Sequence, residues 1–302
     1  MAIVDTGDVR LHVQRMTPKV GRPVTATAVL VHGLLTDSLA SYYFTLAPVF
    51  AVSGIDVIMY DLRGHGRSER PESGYRLDDH LDDLAALLDR LEVTGPVHLV
   101  GNSFGGSVAF GYAARHPERA AGVSLIESEP ATAGWAATMD GVLRQVLTEL
   151  AHNEAAALAW ITANRSQNTA RLAKGAARLA RETTLARDIP VSQVLTEDQI
   201  RSVRCPVLAV YGAESALVER APWLESLLPD CRTVVVPGHE HSVLVEAPGT
   251  VGGHILSMIQ GETDERGAAE QGVGEQGVVE RGVVEQGAAE RGVASLVRAE
   301  AP

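Results

Sequence analysis

The stretch His98-Leu99-Val100-Gly101-Asn102-Ser103-Phe104-Gly105 decides the fold of this 302-residue chain. It joins a short apolar run to a Gly-x-Ser-x-Gly turn, and a helical pattern follows from Ser107 to Arg115. Glycines on both sides of Ser103 let the backbone turn tightly from a strand into a helix, and the serine then projects at the positive end of that helix. A solvated serine in an ordinary turn is the alternative, but a chance match would lack both flanking elements. The pattern therefore predicts that Ser103 is a nucleophile.

Short apolar runs recur along the chain and alternate with helical patterns. Such runs are typical of parallel strands that are buried on both faces of a sheet. We therefore predict an α/β fold, with a mostly parallel central sheet flanked by helices. The apolar runs cover Ala28–Val31, Val57–Tyr60, Val97–Val100, Val123–Ile126, Val207–Tyr211 and Thr233–Val236.

Leucines recur at helical spacing from Leu77 to Leu91 and predict an amphipathic crossover helix. Four aspartates accompany them, at positions 78, 79, 82 and 83. With His80 they could suggest a metal site, but metal ligands should converge, and acidic residues near a helix N-terminus are ordinary. We expect all four carboxylates on a solvated face.

The short apolar runs that predict strands stop after Glu129 and return only at Val207. Ala-rich helical patterns lie between these two positions. This predicts a core made of residues 1–129 and 201–262, with residues 130–200 inserted as a helical cap. From position 265 the chain repeats a Gly-containing pentapeptide such as ERGAA and EQGVV. Gly weakens helices and no large apolar group compensates, so residues 263–302 are predicted to be a disordered tail.

The composition limits the possible partners. The net charge of −12 disfavours binding to a phosphate backbone, so nucleic acid is not expected as a partner. The first residues lack the basic and apolar segments of a signal peptide, and no run of about 18 apolar residues occurs. We therefore expect a cytoplasmic protein that acts on a small molecule without a membrane, and neither a metal nor an organic cofactor is implied. Nothing here predicts the oligomeric state.

Several motifs together resemble the α/β-hydrolase superfamily, in its branch of capped esterases, haloperoxidases, epoxide hydrolases and haloalkane dehalogenases. The resemblance covers about residues 8 to 260 and implies the α/β-hydrolase fold. The motifs, in chain order, are Val29-Leu30-Val31-His32-Gly33, Asp61-Leu62-Arg63-Gly64-His65-Gly66-Arg67-Ser68, the Ser103 turn, and Gly238-His239-Glu240-His241 ahead of Glu246-Ala247-Pro248.

The resemblance implies roles for residues around Ser103. The backbone N–H groups of Leu34 and Phe104 would form an oxyanion hole, and preplaced donors of this kind strongly stabilise a tetrahedral intermediate. His32 would shape its turn, and His32 and Gly33 are expected beside the substrate. His241 falls at the position of the catalytic base. His239 is its rival, and the pair alone could suggest metal ligation, but no third ligand motif accompanies it.

The triad acid departs from the common family pattern. Many relatives carry Asp three residues after the Gly that ends the strand at Val207–Tyr211, and here that position is Ser215. Some relatives instead place a Glu at the end of the strand before the cap, which matches Glu127. We rank Glu127 first, then Glu214 and Glu129, although each could also be a surface residue.

A serine nucleophile points to acyl transfer, because serine attack on an alkyl carbon would leave a stable ether. We expect hydrolysis of an ester, thioester or lactone. The predicted cap contains Trp135, Met139 and Trp160 but neither Phe nor Tyr, which favours a small to medium hydrophobic acyl substrate. Two alternatives stay open. One is a cyclase, carbon–carbon bond-forming enzyme or lyase of polyketide biosynthesis, and the other is a non-catalytic ligand-binding or scaffold protein.

Overall fold

The structure is a computed structural model that describes residues 2–164 and 167–261, with side chains described for 2–153 and 170–261. Its centre is an eight-stranded sheet in the order β1-β2-β4-β3-β5-β6-β7-β8. The two N-terminal strands pair antiparallel, and the six that follow are parallel. The strands are β1 (Ala2–Asp5), β2 (Arg10–Met16), β3 (Ala26–Val31), β4 (Ile55–Tyr60), β5 (Val97–Asn102), β6 (Ala120–Ile126), β7 (Val207–Gly212) and β8 (Cys231–Val236).

Helices connect the parallel strands and cover the sheet. Among the described helices, none is both long enough and apolar enough to cross a bilayer. Short 3-10 helices occupy Pro117–Arg119, Ile189–Val191 and Ala216–Arg220. The α-helices are α1 (Ala40–Tyr43), α2 (Leu46–Val52), α3 (Leu77–Arg90), α4 (Phe104–Arg115), α5 (Ala133–Asn164), α6 (Gln167–Glu182), α7 (Leu185–Asp188), α8 (Glu197–Arg201), α9 (Ala221–Leu227), α10 (Val243–Glu246) and α11 (Pro248–Gln260).

The apolar runs in β3, β4, β5, β6 and β7 are buried on both faces, as the sequence predicted, whereas β8 is only partly buried and its Val235 is exposed. Along β3, alternate side chains point to opposite faces, and residues 29 and 31 enter a different hydrophobic cluster from residues 28 and 30. The first cluster includes residues of α3, α4 and α5. The second includes residues of α2, α10 and α11. Two helical layers therefore enclose the sheet, and the predicted α/β fold class is confirmed.

The segment between β6 and β7 is helical. The separate patterns in its first part form one helix, α5, and no Pro or Gly interrupts residues 142–164. Trp135 and Leu143 anchor the first half of α5 in the hydrophobic core. Further on, Thr196 and Gln199 form the reciprocal cap of α8. The boundaries proposed for a cap domain remain a prediction, and the predicted tail lies outside the described residues.

Helix α3 corrects one expectation. Asp78 and Asp82 bind Arg115 at the surface, but Asp83 is buried rather than solvated. Its two oxygens accept hydrogen bonds from Nε and Nη2 of Arg63, each at 2.7 Å, and Arg63 is also buried. A buried carboxylate is tolerated here because the guanidinium binds both of its oxygens. Arg63 thereby joins α3 to the loop that follows β4.

Candidate active site

The carboxyl ends of adjacent parallel strands bring the predicted site residues together. β3 ends at Val31, β5 at Asn102 and β6 at Ile126. His32, Ser103 and Glu127 are in each case the next residue, so all three emerge at the same edge of the sheet. Open parallel sheets generally bind their ligands at this edge.

Ser103 occupies a sharp turn between β5 and α4. Its φ of 52° lies in the left-handed region, which only glycine adopts without cost. A Cβ atom on Gly105 would lie 2.1 Å from the carbonyl oxygen of Val31, and one on Gly101 would lie 2.3 Å from the carbonyl oxygen of Gly105. The two flanking glycines are therefore required by close backbone packing, which holds the serine at the N-terminus of α4.

His241 contacts both Ser103 and Glu127. Its Nε2 lies 3.1 Å from Ser103 Oγ, and its Nδ1 lies 3.1 Å from Glu127 Oε2. A carboxylate can only accept from Nδ1, so Nδ1 carries the proton and Nε2 presents its lone pair to the serine hydroxyl. The three side chains thus form a continuous hydrogen-bonded chain, and its arrangement allows the imidazole to take a proton from the serine.

Glu127 is fully buried and firmly held. Its φ of 49° is again left-handed. Besides facing His241, its carboxylate accepts hydrogen bonds from Gly212 N–H at 2.5 Å and from Ser215 Oγ at 2.6 Å. Ser215 is the position where common relatives carry the acid, and here its hydroxyl supports an acid from the neighbouring strand. This role of Ser215 was not predicted from the sequence, although the serine at the usual position of the acid was a signal for it.

The other candidate acids and the rival histidine take no part in this hydrogen-bonded chain. Glu214 is exposed and Glu129 forms an ion pair with Arg220, while the carboxylate in contact with His241 is that of Glu127. His239 directs Nδ1 to the carbonyl oxygen of Pro237. Among the described residues, no group of three or more His, Cys, Asp or Glu side chains is placed to hold a metal ion.

The backbone N–H groups of Leu34 and Phe104 are candidate oxyanion donors, since both residues line the same cavity as Ser103. Phe104 is the first residue of α4, so its N–H has no acceptor within the helix. On the other side of the site, Gly33 N–H donates to Asp37 Oδ2 at 2.6 Å and Leu35 N–H donates to His65 Nε2 at 3.0 Å. The hydrogen bonds of the described residues leave the intervening Leu34 N–H unused.

His65 is held neutral beside this turn. Burial lowers the pKa of its imidazole to about 3. Its Nδ1 donates to the carbonyl oxygen of Arg63 at 2.9 Å, which leaves Nε2 free to accept from Leu35. Leu35 has a φ of 63°, so the left-handed conformation occurs in this turn as well as at Ser103 and Glu127. His65 therefore shapes the Leu34–Leu35 turn, a role that the sequence analysis did not assign.

His32 and Gly33 are not among the residues that line the cavity above Ser103, and their contact with substrate stays a prediction. The His32 ring is fully buried, and its Nε2 accepts from Leu62 N–H at 2.9 Å while its Nδ1 donates to the carbonyl oxygen of Gly33. Gly33 lies below the nucleophile, because a Cβ atom there would be 3.4 Å from Ser103 Cβ. Both residues shape the turn from beneath the site.

A cavity of about 450 Å³ opens above Ser103. Trp135 and Met139 line it, and the Trp135 ring stacks on Phe104 with 6.2 Å between ring centroids. The predicted Trp160 lies outside the described side chains. The lining consists of Leu34, Leu35, Ser103, Phe104, Ser107, Glu127, Ser128, Glu129, Trp135, Thr138, Met139, Val142, Leu143, Glu214, Ser215, Ala216, Leu217, Glu240 and His241.

This fold and site match a known family. A family model described as alpha/beta hydrolase fold matches residues 28–248, and the chain therefore belongs to the alpha/beta hydrolase fold family. The chain is 28% identical to a non-heme chloroperoxidase of Streptomyces lividans over 235 residues, which are 70% of this chain and 84% of the relative.

Other relatives are hydrolases. The chain is 32% identical to a 2-(acetamidomethylene)succinate hydrolase of Mesorhizobium japonicum over 211 residues, which are 63% of this chain and 73% of the relative. The crystal structure of an E-2-(acetamidomethylene)succinate hydrolase superposes with a TM-score of 0.63 at 27% identity, covering 86% of this chain and 98% of that one.

Proposed function

We propose that the chain is a serine hydrolase that cleaves an ester, thioester or lactone through an acyl-enzyme. One observation carries this proposal: His241 bridges Ser103 and Glu127 with contacts of 3.1 Å on each side. Nucleophile, base and orienting acid in hydrogen-bond reach are the recurring signature of activated serine nucleophiles. The hydrolases among the relatives support the same reaction class.

In the proposed mechanism, His241 Nε2 takes the proton of Ser103 Oγ as the serine attacks the acyl carbon. The oxyanion that forms accepts hydrogen bonds from the N–H groups of Leu34 and Phe104. Glu127 holds the imidazole in its tautomer and stabilises the imidazolium. His241 then protonates the leaving group, and its Nε2 activates a water molecule that hydrolyses the acyl-enzyme.

The cavity supports a small to medium substrate with substantial apolar surface. Helix α5 supplies Trp135, Met139 and Leu143 to the lining, and Leu34 and Leu217 add aliphatic surface from the core. On this basis we further propose that the helices between β6 and β7 form a cap and that the acyl chain binds beneath α5. A cavity of about 450 Å³ is within the usual size range for small-molecule sites.

A fluorophosphonate probe tests this function, because it labels a serine only when that serine is activated. We expect the wild type to gain one adduct by intact mass, Ser103→Ala to gain none, and Glu127→Gln to react more slowly. In parallel, p-nitrophenyl esters of increasing chain length measure turnover. The chain-length series then defines the preferred acyl group.

Absence of labelling in folded wild type, together with no turnover of any ester, would refute the serine hydrolase proposal. It would favour one of the two alternatives, a non-hydrolytic biosynthetic enzyme or a ligand-binding protein. Turnover of a biosynthetic intermediate without an acyl-enzyme would identify the first of these. Tight ligand binding that Ser103→Ala leaves unchanged would identify the second.

A further inference from the structure

Glu129 is a buried carboxylate that the proposed mechanism does not use. It lines the same cavity as Ser103, and only 5% of its surface is exposed. Its single ion pair is with Arg220 Nε, at 3.3 Å from Oε2, and no described group donates a hydrogen bond to either oxygen. Burial raises the pKa of Glu129, with Arg220 acting in the opposite direction. A buried carboxylate with unused acceptor capacity is costly unless a donor reaches it.

The cavity lining contains further acidic side chains besides Glu129. In the described part of the chain, the lining contains four glutamates and neither a lysine nor an arginine. Glu127 is matched by His241, and Glu214 and Glu240 are exposed. Arg220 approaches Glu129 from outside the lining, with about half of its side chain in solvent. The lining therefore carries more acidic than basic side chains, and Glu129 is the buried carboxylate among them that does not contact His241.

We propose that Glu129 is a specificity residue that binds a protonated amine on the substrate, so that the preferred substrates are amine-bearing esters or thioesters. This inference rests on the proposed function, because it concerns the same cavity. An ammonium group would supply the missing hydrogen bonds, and charge-assisted bonds of this kind are among the strongest in proteins. An anionic substrate would be repelled, which separates this chain from its relative named for a succinate derivative.

A purely structural role for Glu129 makes different predictions. Its ion pair could simply tie the segment after β6 to the 3-10 helix Ala216–Arg220. In that case, loss of either partner would change the stability of the protein, and kcat/KM would change by the same factor for all substrates. The preference between a charged and a neutral substrate would not move. The ratio of the two rates is therefore the informative quantity.

Isosteric ester pairs measure this ratio. In the acyl chain, p-nitrophenyl 6-aminohexanoate is compared with p-nitrophenyl heptanoate. In the alcohol part, 2-(dimethylamino)ethyl heptanoate is compared with 3-methylbutyl heptanoate. We expect wild type to prefer the ammonium member of at least one pair in kcat/KM. In Glu129→Gln that preference should fall by about tenfold or more, the effect of one charge-assisted hydrogen bond.

Two further variants distinguish the effect of Glu129 on the ammonium preference from the effect of other charged residues near the cavity. Arg220→Gln removes the competing cation, so the ammonium preference should rise. Glu214→Gln removes one exposed charge from the same lining and should change the preference by less than about twofold, since exposed charges are screened. Circular dichroism verifies that each variant is folded. Equal preferences in wild type, Glu129→Gln and Arg220→Gln would overturn the proposal.

Failure of the inference is distinguishable from failure of the proposed function. Turnover of the neutral esters that depends on Ser103, without any ammonium preference, rejects only the role of Glu129. If no ester is hydrolysed, calorimetric titration with n-hexylammonium still tests the site. We expect binding that weakens about tenfold or more in Glu129→Gln, and equal binding by both proteins would reject the inference.

Discussion

We expect that the acid of the proposed triad can be moved from position 127, after β6, to position 215, after β7. Ser215 Oγ lies 2.6 Å from Glu127 Oε2, the same oxygen that faces His241 Nδ1. An aspartate at position 215 would therefore bring a carboxylate within reach of the imidazole. We predict that Glu127→Gln inactivates the protein and that adding Ser215→Asp restores part of the activity.

The expected loss of activity in Glu127→Gln follows from the contacts of the Glu127 carboxylate. It accepts from Gly212 N–H, Ser215 Oγ and His241 Nδ1. A glutamine replaces one acceptor oxygen with an NH₂ donor, so the imidazole can lose the tautomer that Ser103 requires. The matching amide substitution in a serine protease triad lowers kcat by about 10⁴, and here we expect a loss of about 10³- to 10⁴-fold, or roughly 4–5.4 kcal/mol of barrier.

The assay is kcat/KM for a p-nitrophenyl ester, measured for wild type, Glu127→Gln, Ser215→Asp and the double variant. The double variant should recover at least about tenfold over Glu127→Gln, since a new carboxylate restores the Nδ1 hydrogen bond. Ser215→Asp alone is the control. It would place two carboxylates side by side in a buried site, where like charges oppose joint ionisation, so its activity should fall below that of wild type.

Two results would refute this reasoning. A loss of less than about tenfold in Glu127→Gln would show that the acid hardly contributes. A double variant no more active than Glu127→Gln, with an unchanged fold by circular dichroism, would show that position 215 cannot orient the base. The first result concerns the identity of the acid, and the second concerns the geometry around it.

Four other substitutions have expected outcomes. Gly105→Ala should prevent soluble accumulation, since its Cβ would meet Val31 O at 2.1 Å, whereas Gly141→Ala, with open space around it, should raise the free energy of unfolding by about 0.5–1 kcal/mol in urea titrations. Ser103→Gly should abolish turnover yet raise the melting temperature, because it relieves a left-handed φ that costs about 1–3 kcal/mol. His80 is buried with unpaired ring nitrogens, and burial holds its pKa well below the usual range, so the imidazole gains a proton when the chain unfolds in acid. The free energy of unfolding of His80→Leu relative to wild type should therefore rise by about 1.4 kcal/mol per pH unit below 6.5. A constant difference between the two proteins in urea titrations at pH 7 and 5 would contradict this.

Much of the sheet could be predicted from the sequence because its parallel strands are continuous apolar runs. The exceptions are β1 and β2, which were not predicted. In β2, which lies one strand in from the edge of the sheet, charged and polar residues such as Arg10, Gln14 and Arg15 interrupt the apolar ones. The burial of Asp83 also escaped prediction, because its partner Arg63 is distant in sequence and only the folded chain brings the two together.

The site was predictable to the extent that it follows local motifs. The two glycines beside Ser103 predict its turn. The position of His241 after the last strand predicts that it is the base. The choice among the three glutamates was not local, because it depends on the pairing of Ile126 with Val210 in adjacent strands. The motif around His32 likewise does not show which side of its turn faces the cavity, so contact of His32 with substrate stays a prediction.

The residues that meet at the sheet edge are far apart along the chain. His241 is 138 positions from Ser103 and 114 from Glu127. Contacts of this kind form late and slowly in folding, since a long loop must close before they are gained. A nascent chain that ends before β8 contains Ser103 but lacks His241, which follows that strand. The proposed reactivity of Ser103 therefore requires the complete fold, and fluorophosphonate labelling of Ser103 during refolding would report when its contact with His241 forms.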